Sequence, residues 1–138
     1  MKVYATYNIK GGVGKTTAAV NLAYLSAADV LLVPLIPTTL SVRTLDQLTE
    51  FVAGFNGRQP EVRAFFSMVD RRKRLHQDIT AKLSAERPGV AATPIPALSL
   101  IERMSTERAP VTAFAPRSQA ARAFRDLWDE LSSADTAP

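Results

Sequence analysis

The chain has 138 residues, a net charge of +4, no cysteine and one histidine. That length suits one domain that buries about two-thirds of its unfolded surface, enough for a core without covalent staples. The composition excludes a disulfide framework, a thiolate metal site and a histidine cluster for zinc, and no apolar run is long enough to cross a membrane.

Residues 3–7 alternate as a first strand, and residues 16–27 follow as a helix with Val20, Leu22, Ala23 and Leu25 on its apolar side. Asp29 marks a short connection into residues 30–36, an apolar run suited to a strand buried on both faces, with Pro34 and Pro37 limiting its ladder. Ser41 is the expected cap of a second helix carrying Leu45, Leu48, Val52 and Phe55, which Gly54, Gly57 and Pro60 end. A third strand is expected over 62–69, then a helix over 71–86 with Leu75, Ile79 and Leu83 four apart, stopped by Pro88-Gly89. A fourth strand over 90–95, a short helix around 99–106 and an amphipathic helix over 117–132 complete the series, with 133–138 as a frayed tail. Phe124 and Trp128 are expected in the core, and His76 as a partly exposed helix residue. Alternating strands and helices predict an α/β fold, a small parallel sheet flanked by helices in a single domain over 1–138.

The richest stretch is KGGVGKTT, residues 10–17, between the first strand and the first helix. Strand, glycine-rich turn and Lys-Thr at a helix start form the layout of a phosphate-cradling P-loop. Gly11, Gly12 and Gly14 let the backbone turn tightly and aim N–H groups inward, together with Val13. The helix N-terminus adds its dipole, Lys15 neutralises β/γ-phosphates, the Thr16 hydroxyl holds Mg²⁺ and Thr17 donates to an inner phosphate. Ile9 stands where the strict pattern has its first glycine, and Lys10 precedes the paired glycines.

With these residues, MKVYATYNIKGGVGKTTAAVNLAYLSA resembles the opening of ParA/MinD-type ATPases, the deviant Walker A family. ADVLLVPLIPTTLSVRTLDQL resembles a later strand and helix of that family, and FFSMVDRRKRLH with residues 91–131 its C-terminal part. The resemblance implies a P-loop NTPase-like fold, ATP or ADP with Mg²⁺ as cofactors, and ATP-dependent dimers that partition plasmids, chromosomes or other cargo, often with non-specific DNA binding. It further implies that Lys10 reaches a dimer partner's phosphates, so that Lys10 and Lys15 are the catalytic cations. Ser67, Met68 and Asp70, with Thr93, Pro94, Ile95 and Pro96, would flank the purine and ribose.

One part of the family pattern is missing. Between its P-loop helix and the strand resembling residues 30–36, the family has a strand ending in switch aspartates and another with the Walker B-type carboxylate. Here Ala28 leads directly to Asp29 and Val30. Asp29 precedes its strand, Asp46 and Glu50 lie within a helix, and Asp70 falls at the base-binding edge, so none replaces the lost acid. The expectation is a truncated ParA-like protein, its sheet reduced to about four strands, that binds ATP or ADP with weak or no hydrolysis. The alternatives are a partitioning ATPase whose carboxylates a partner chain supplies, and a deletion product or minimal scaffold without function. Loss of the middle strands would bare the edge of the first strand, so a homodimer joined or swapped through residues 1–28 is expected, or association with a full-length relative. Arg71-Arg72-Lys73-Arg74, and Arg117, Arg122 and Arg125, are surfaces for an anion such as nucleotide phosphate or DNA backbone. With no leader-like stretch and no membrane span, a cytoplasmic location is expected.

Overall fold

The computed structural model describes residues 2–6 and 27–133. The phosphate-cradle motif at 10–17, residues 16–26 of the expected first helix and most of the tail therefore lie outside the described residues, and Ala27 stands in a turn. Three parallel strands form the sheet, in the order β1 (Tyr4–Thr6), β2 (Val30–Leu35), β3 (Glu61–Phe66). Tyr4 to Thr6 pair with Val30 to Leu32, and Val30 to Leu35 pair with Glu61 to Phe66. Val30 donates to the Val3 carbonyl at 3.1 Å, so the even-numbered residues of β2 aim their amides at β1. Pro34 has no amide to give, and the described β1–β2 ladder ends two residues before it.

The strands alternate sides. Leu31, Val33, Leu35, Ala64 and Phe66 pack under α1 (Thr39–Ala53) and α2 (Arg74–Glu86), against Leu45, Leu48, Val52 and Leu83. Leu32 and Phe65 face the other way, onto Ile95 and onto Leu127 and Leu131 of α5 (Gln119–Ser133). Beside α5 sit α3 (Ser99–Glu107) and the one-turn α4 (Val111–Phe114), joined through Val111, Ala120 and Ala121. The α/β layering is as the sequence implies.

Several boundaries differ from expectation for identifiable reasons. Thr38, not Ser41, caps α1: its side-chain oxygen accepts from the Ser41 amide at 3.2 Å in an extended conformation, so the helix starts earlier. Strand β3 stops at Phe66 because Met68 takes a left-handed φ of 55°. Helix α2 begins at Arg74, so most of the basic run lies in the turn before the helix.

The expected fourth strand is reduced to two parallel bridges, Ala64 to Val90 and Val69 to Pro96, leaving three strands among the described residues where about four were expected. Between the bridges, the amides of Ala92 and Thr93 donate to Glu130 of α5, at 2.7 and 2.9 Å, and Pro94 and Pro96 have none. Gly89, just before this segment, is closely packed: a Cβ there would meet the Val62 carbonyl at 3.0 Å, tighter than an ordinary contact. Trp128 is not core. It is 51% exposed and its ring rests near Tyr4 of β1, centroids 5.6 Å apart. Leu75 is likewise exposed, leaving Ile79 and Leu83 to anchor α2.

Candidate functional site at the carboxyl ends of the strands

Parallel strands bring all their carboxyl ends to one side, where open α/β sheets bind ligands. Ser67 follows β3 and donates to the Leu35 carbonyl at 2.8 Å, which fixes the exit of β3 beside that of β2. Met68 comes next, half exposed and left-handed. Val69 then returns to the ladder, its amide donating to the Ile95 carbonyl at 3.1 Å while its carbonyl accepts from Ala97 at 3.0 Å. Ile95 donates to Phe66 at 2.8 Å. The structure thus brings the segment of Ser67, Met68 and Asp70 next to that of Ile95 and Pro96. Ile95 itself is 1% exposed, and its side chain belongs to the core against α5. Thr93 and Pro94 are half-buried, with the Thr93 amide turned to Glu130.

Lys10, Gly11, Gly12, Val13, Gly14, Lys15, Thr16 and Thr17 lie outside the described residues. What the fold contributes is their point of departure. Strand β1 runs parallel to β2, so the chain leaves it at this same end.

Asp70 opens a tight turn. Its carboxylate accepts from the Arg72 amide at 3.0 Å and from Arg72 Nε and Nη2, both at 3.1 Å. The Arg72 guanidinium, with the Arg72 amide, lowers the Asp70 carboxyl to about 2. The Asp70 amide donates to Nδ1 of His76 at 3.1 Å. His76 is only 8% exposed, against the expectation of a partly exposed residue, because its ring closes the inner side of this turn. A histidine six residues after an aspartate at a strand end is a weak signal in sequence, and the hydrogen bond becomes visible only once the turn is built.

Around the turn the surface is strongly positive. Arg71, Arg72, Lys73 and Arg74 are all exposed, and α2 has no acidic residue in its first turn. Arg72 is spent on Asp70, and Arg74 stands 3.9 Å from Asp78. Arg71 and Lys73 make no ion pair among the described residues. Ile36, Leu40 and Leu75 are exposed at the same end.

Asp29 is at the other end. It accepts from the Val3 amide at 2.7 Å and pairs with Arg58. The Val3 amide is the main cause that holds its carboxyl below the usual range. Its work is to pin β1 to the start of β2. Among the described residues, no group of three or more His, Cys, Asp or Glu side chains could hold a metal ion, and no helix is long and apolar enough to cross a membrane.

No protein-family model matches the chain, and no curated protein matches it at a significant level. The likeness to ParA/MinD-type ATPases therefore rests on the sequence motifs themselves.

Proposed function

We propose that this chain is a truncated relative of the ParA/MinD-type ATPases that binds ATP or ADP through residues 10–17 and hydrolyses it weakly or not at all. The observation that carries the reading is the direction of β1. Thr6 is level with Leu32, and three extended residues cover about 10 Å, the rise from Leu32 to Leu35. Residues 7–9 can therefore deliver Lys10 to the strand ends where Ser67, Met68 and Pro96 gather. A cradle arriving there would lie beside the residues that the resemblance assigns to the purine and ribose.

The residues support binding better than hydrolysis. Lys15 and the glycine backbone would hold the phosphates, and Thr16 would hold Mg²⁺, which would supply neutralising charge to them. Asp70 is the acid that follows β3, and it is occupied by Arg72. Two partner proposals belong to the same reading: self-association through residues 1–28, read by light scattering, and non-specific DNA contact through the basic turn, read by a steep loss of affinity with salt.

The deciding experiment is titration with a fluorescent ATP analogue and Mg²⁺, alongside a turnover assay on the same sample. Saturable binding that Lys15→Ala abolishes, with turnover at background, is expected. Absence of binding removes the proposal, and turnover at the pace of a complete ATPase removes its second half.

A further inference from the structure

Helices α1 and α2 cover the same face of the sheet, and the seam between them holds a cavity of about 260 Å³. Its floor is apolar. Val42 of α1 and Ile79 and Leu83 of α2 form it, all packed into the core beneath the two helices. Thr39, Lys82, Glu86 and Arg87 supply the polar lining. Ile79, Lys82, Leu83 and Glu86 fall at i, i+3, i+4 and i+7, so α2 presents them on one side.

The charges at the mouth differ in their engagements. Arg87 stands 2.6 Å from Asp46 and ties the end of α2 to α1. Lys82 and Glu86 are exposed and make no ion pair among the described residues. Lysine ahead of glutamate at i, i+4 is the poorer order for a pair within a helix, which leaves both groups available. The cavity thus combines an apolar floor with one free cation and one free anion a helical turn apart.

We propose that this cavity binds a small zwitterion with an apolar body: a free α-amino acid with a large hydrophobic side chain, such as phenylalanine or leucine. The side chain lies on Val42, Ile79 and Leu83, the α-carboxylate meets Lys82 and the α-ammonium meets Glu86. Charge complementarity selects this class. An apolar anion gains Lys82 and is repelled by Glu86, and an apolar cation suffers the reverse. Only a ligand with both charges close together satisfies both residues. Sites for drug-sized ligands start at about 300 Å³, so this cavity holds one smaller molecule. Exposed ion pairs add little, and the apolar contact is small, so the dissociation constant is about 1 mM. The site lies on the helical face and owes nothing to the nucleotide reading.

The test titrates the whole chain with phenylalanine while the methyl signals of Val42, Ile79 and Leu83 are followed by NMR. Saturable shifts at these three residues are expected. Two probes each lack one charge: 3-phenylpropionate has no ammonium and phenethylamine no carboxylate. Each should bind about fivefold more weakly than phenylalanine. Glycine, without the apolar body, should move nothing. Lys82→Gln and Glu86→Gln change exposed positions and keep the fold. Each should weaken phenylalanine about fivefold, and Glu86→Gln should bring 3-phenylpropionate level with it by removing the repulsion. No saturable shift by about 10 mM phenylalanine overturns the site. Toluene binding as tightly as phenylalanine, or affinities that ignore both variants, shows an apolar hollow without charge recognition and overturns the zwitterion.

Discussion

Arg63 and Glu61 give the sharpest test of how the two faces of the sheet are held together. Arg63 is 5% exposed in β3, with Nε and Nη2 on the Glu61 carboxylate at 2.8 and 2.7 Å and Nη1 on the Leu131 carbonyl at 2.5 Å. Leu131 is in the last turn of α5, where carbonyls lack a partner within the helix. No basic residue of that turn supplies one, so Arg63 caps the helix from the sheet, with its charge at the favourable end of the dipole. Glu61→Ala takes from a buried guanidinium the carboxylate that accepts from its Nε and Nη2. Breaking a fully buried pair costs about 3–5 kcal/mol. Here the Glu61 side chain is 56% exposed and a 130 Å³ pocket opens between the two residues and α5, so water softens the loss. The cost should be about 2 kcal/mol after that discount. Arg63→Met removes the charge together with its pair to Glu61. Among the contacts described here, what is then lost is the cap on Leu131, about 1 kcal/mol. In urea, a loss of about 2 kcal/mol lowers the unfolding midpoint by about 1 M, so the order is measurable. If Arg63→Met proves the more damaging by about 1 kcal/mol, the arginine's value lies in its cap and packing and the argument from a weakened buried pair is wrong.

Three further outcomes are expected. Met68→Gly removes a left-handed backbone penalty of about 1–2 kcal/mol against a glycine entropy cost of about 0.5–1 kcal/mol, so the variant melts slightly higher, and a clear drop in melting temperature refutes the strain. At Glu130, burial pushes the carboxyl up, but the Thr93 hydroxyl and the Ala92 and Thr93 amides outweigh it and hold it below the ordinary value. A lowered carboxylate contributes stability above its unfolded value that is lost as pH falls through the folded one. Glu130→Gln should therefore cost about 1 kcal/mol at neutral pH, kept low because the group is open to water, and little in strong acid. Equal loss at both pH values in urea unfolding would contradict this. Arg72→Ala frees the Asp70 carboxylate, and ATP turnover should stay at background; a rise would expose Asp70 as a hidden metal ligand.

The layers were legible because their signals are local and strong. An apolar run of strand length at 30–36, and apolar residues at helical spacing in 45–52, leave little choice about which sides are buried. The misses share a different cause. The fourth strand failed because Glu130, far along the chain, takes two of its amides. Trp128 looked like core because it shares a helical stripe with Leu127 and Leu131, yet the stripe is wider than the sheet that receives it, and β1 offers it one tyrosine. The early start of α1 turned on Thr38, a cap that competes in sequence with Ser41 three residues later and wins by its extended backbone. The gathering of strand ends on one side of the sheet was legible from the alternation of strands and helices. His76 was not, since its role depends on a turn that no periodicity announces.

Of the four acids weighed for a missing hydrolytic role, Asp29, Asp46 and Asp70 are engaged elsewhere, which on the proposed reading argues against catalysis. Asp29 anchors the amino end of β1, a sheet-length away from any phosphate at the strand ends. Asp46 sits within α1 and pairs with Arg87 at 2.6 Å, beyond the far end of α2. Asp70 is at the right end but builds a turn with Arg72. Meanwhile Arg71 and Lys73 add positive charge beside the proposed cradle of Lys10 and Lys15. Charge of this kind attracts the triphosphate before, during and after cleavage alike. Interactions equal in ground state and transition state tighten binding without speeding the chemical step. Acceleration needs a group whose contact strengthens as the terminal phosphoryl leaves, such as an acid that orders the metal or the attacking water. On the proposed reading, this end of the sheet is rich in the first kind of group, and the carboxylate best placed for the second is engaged in holding the loop.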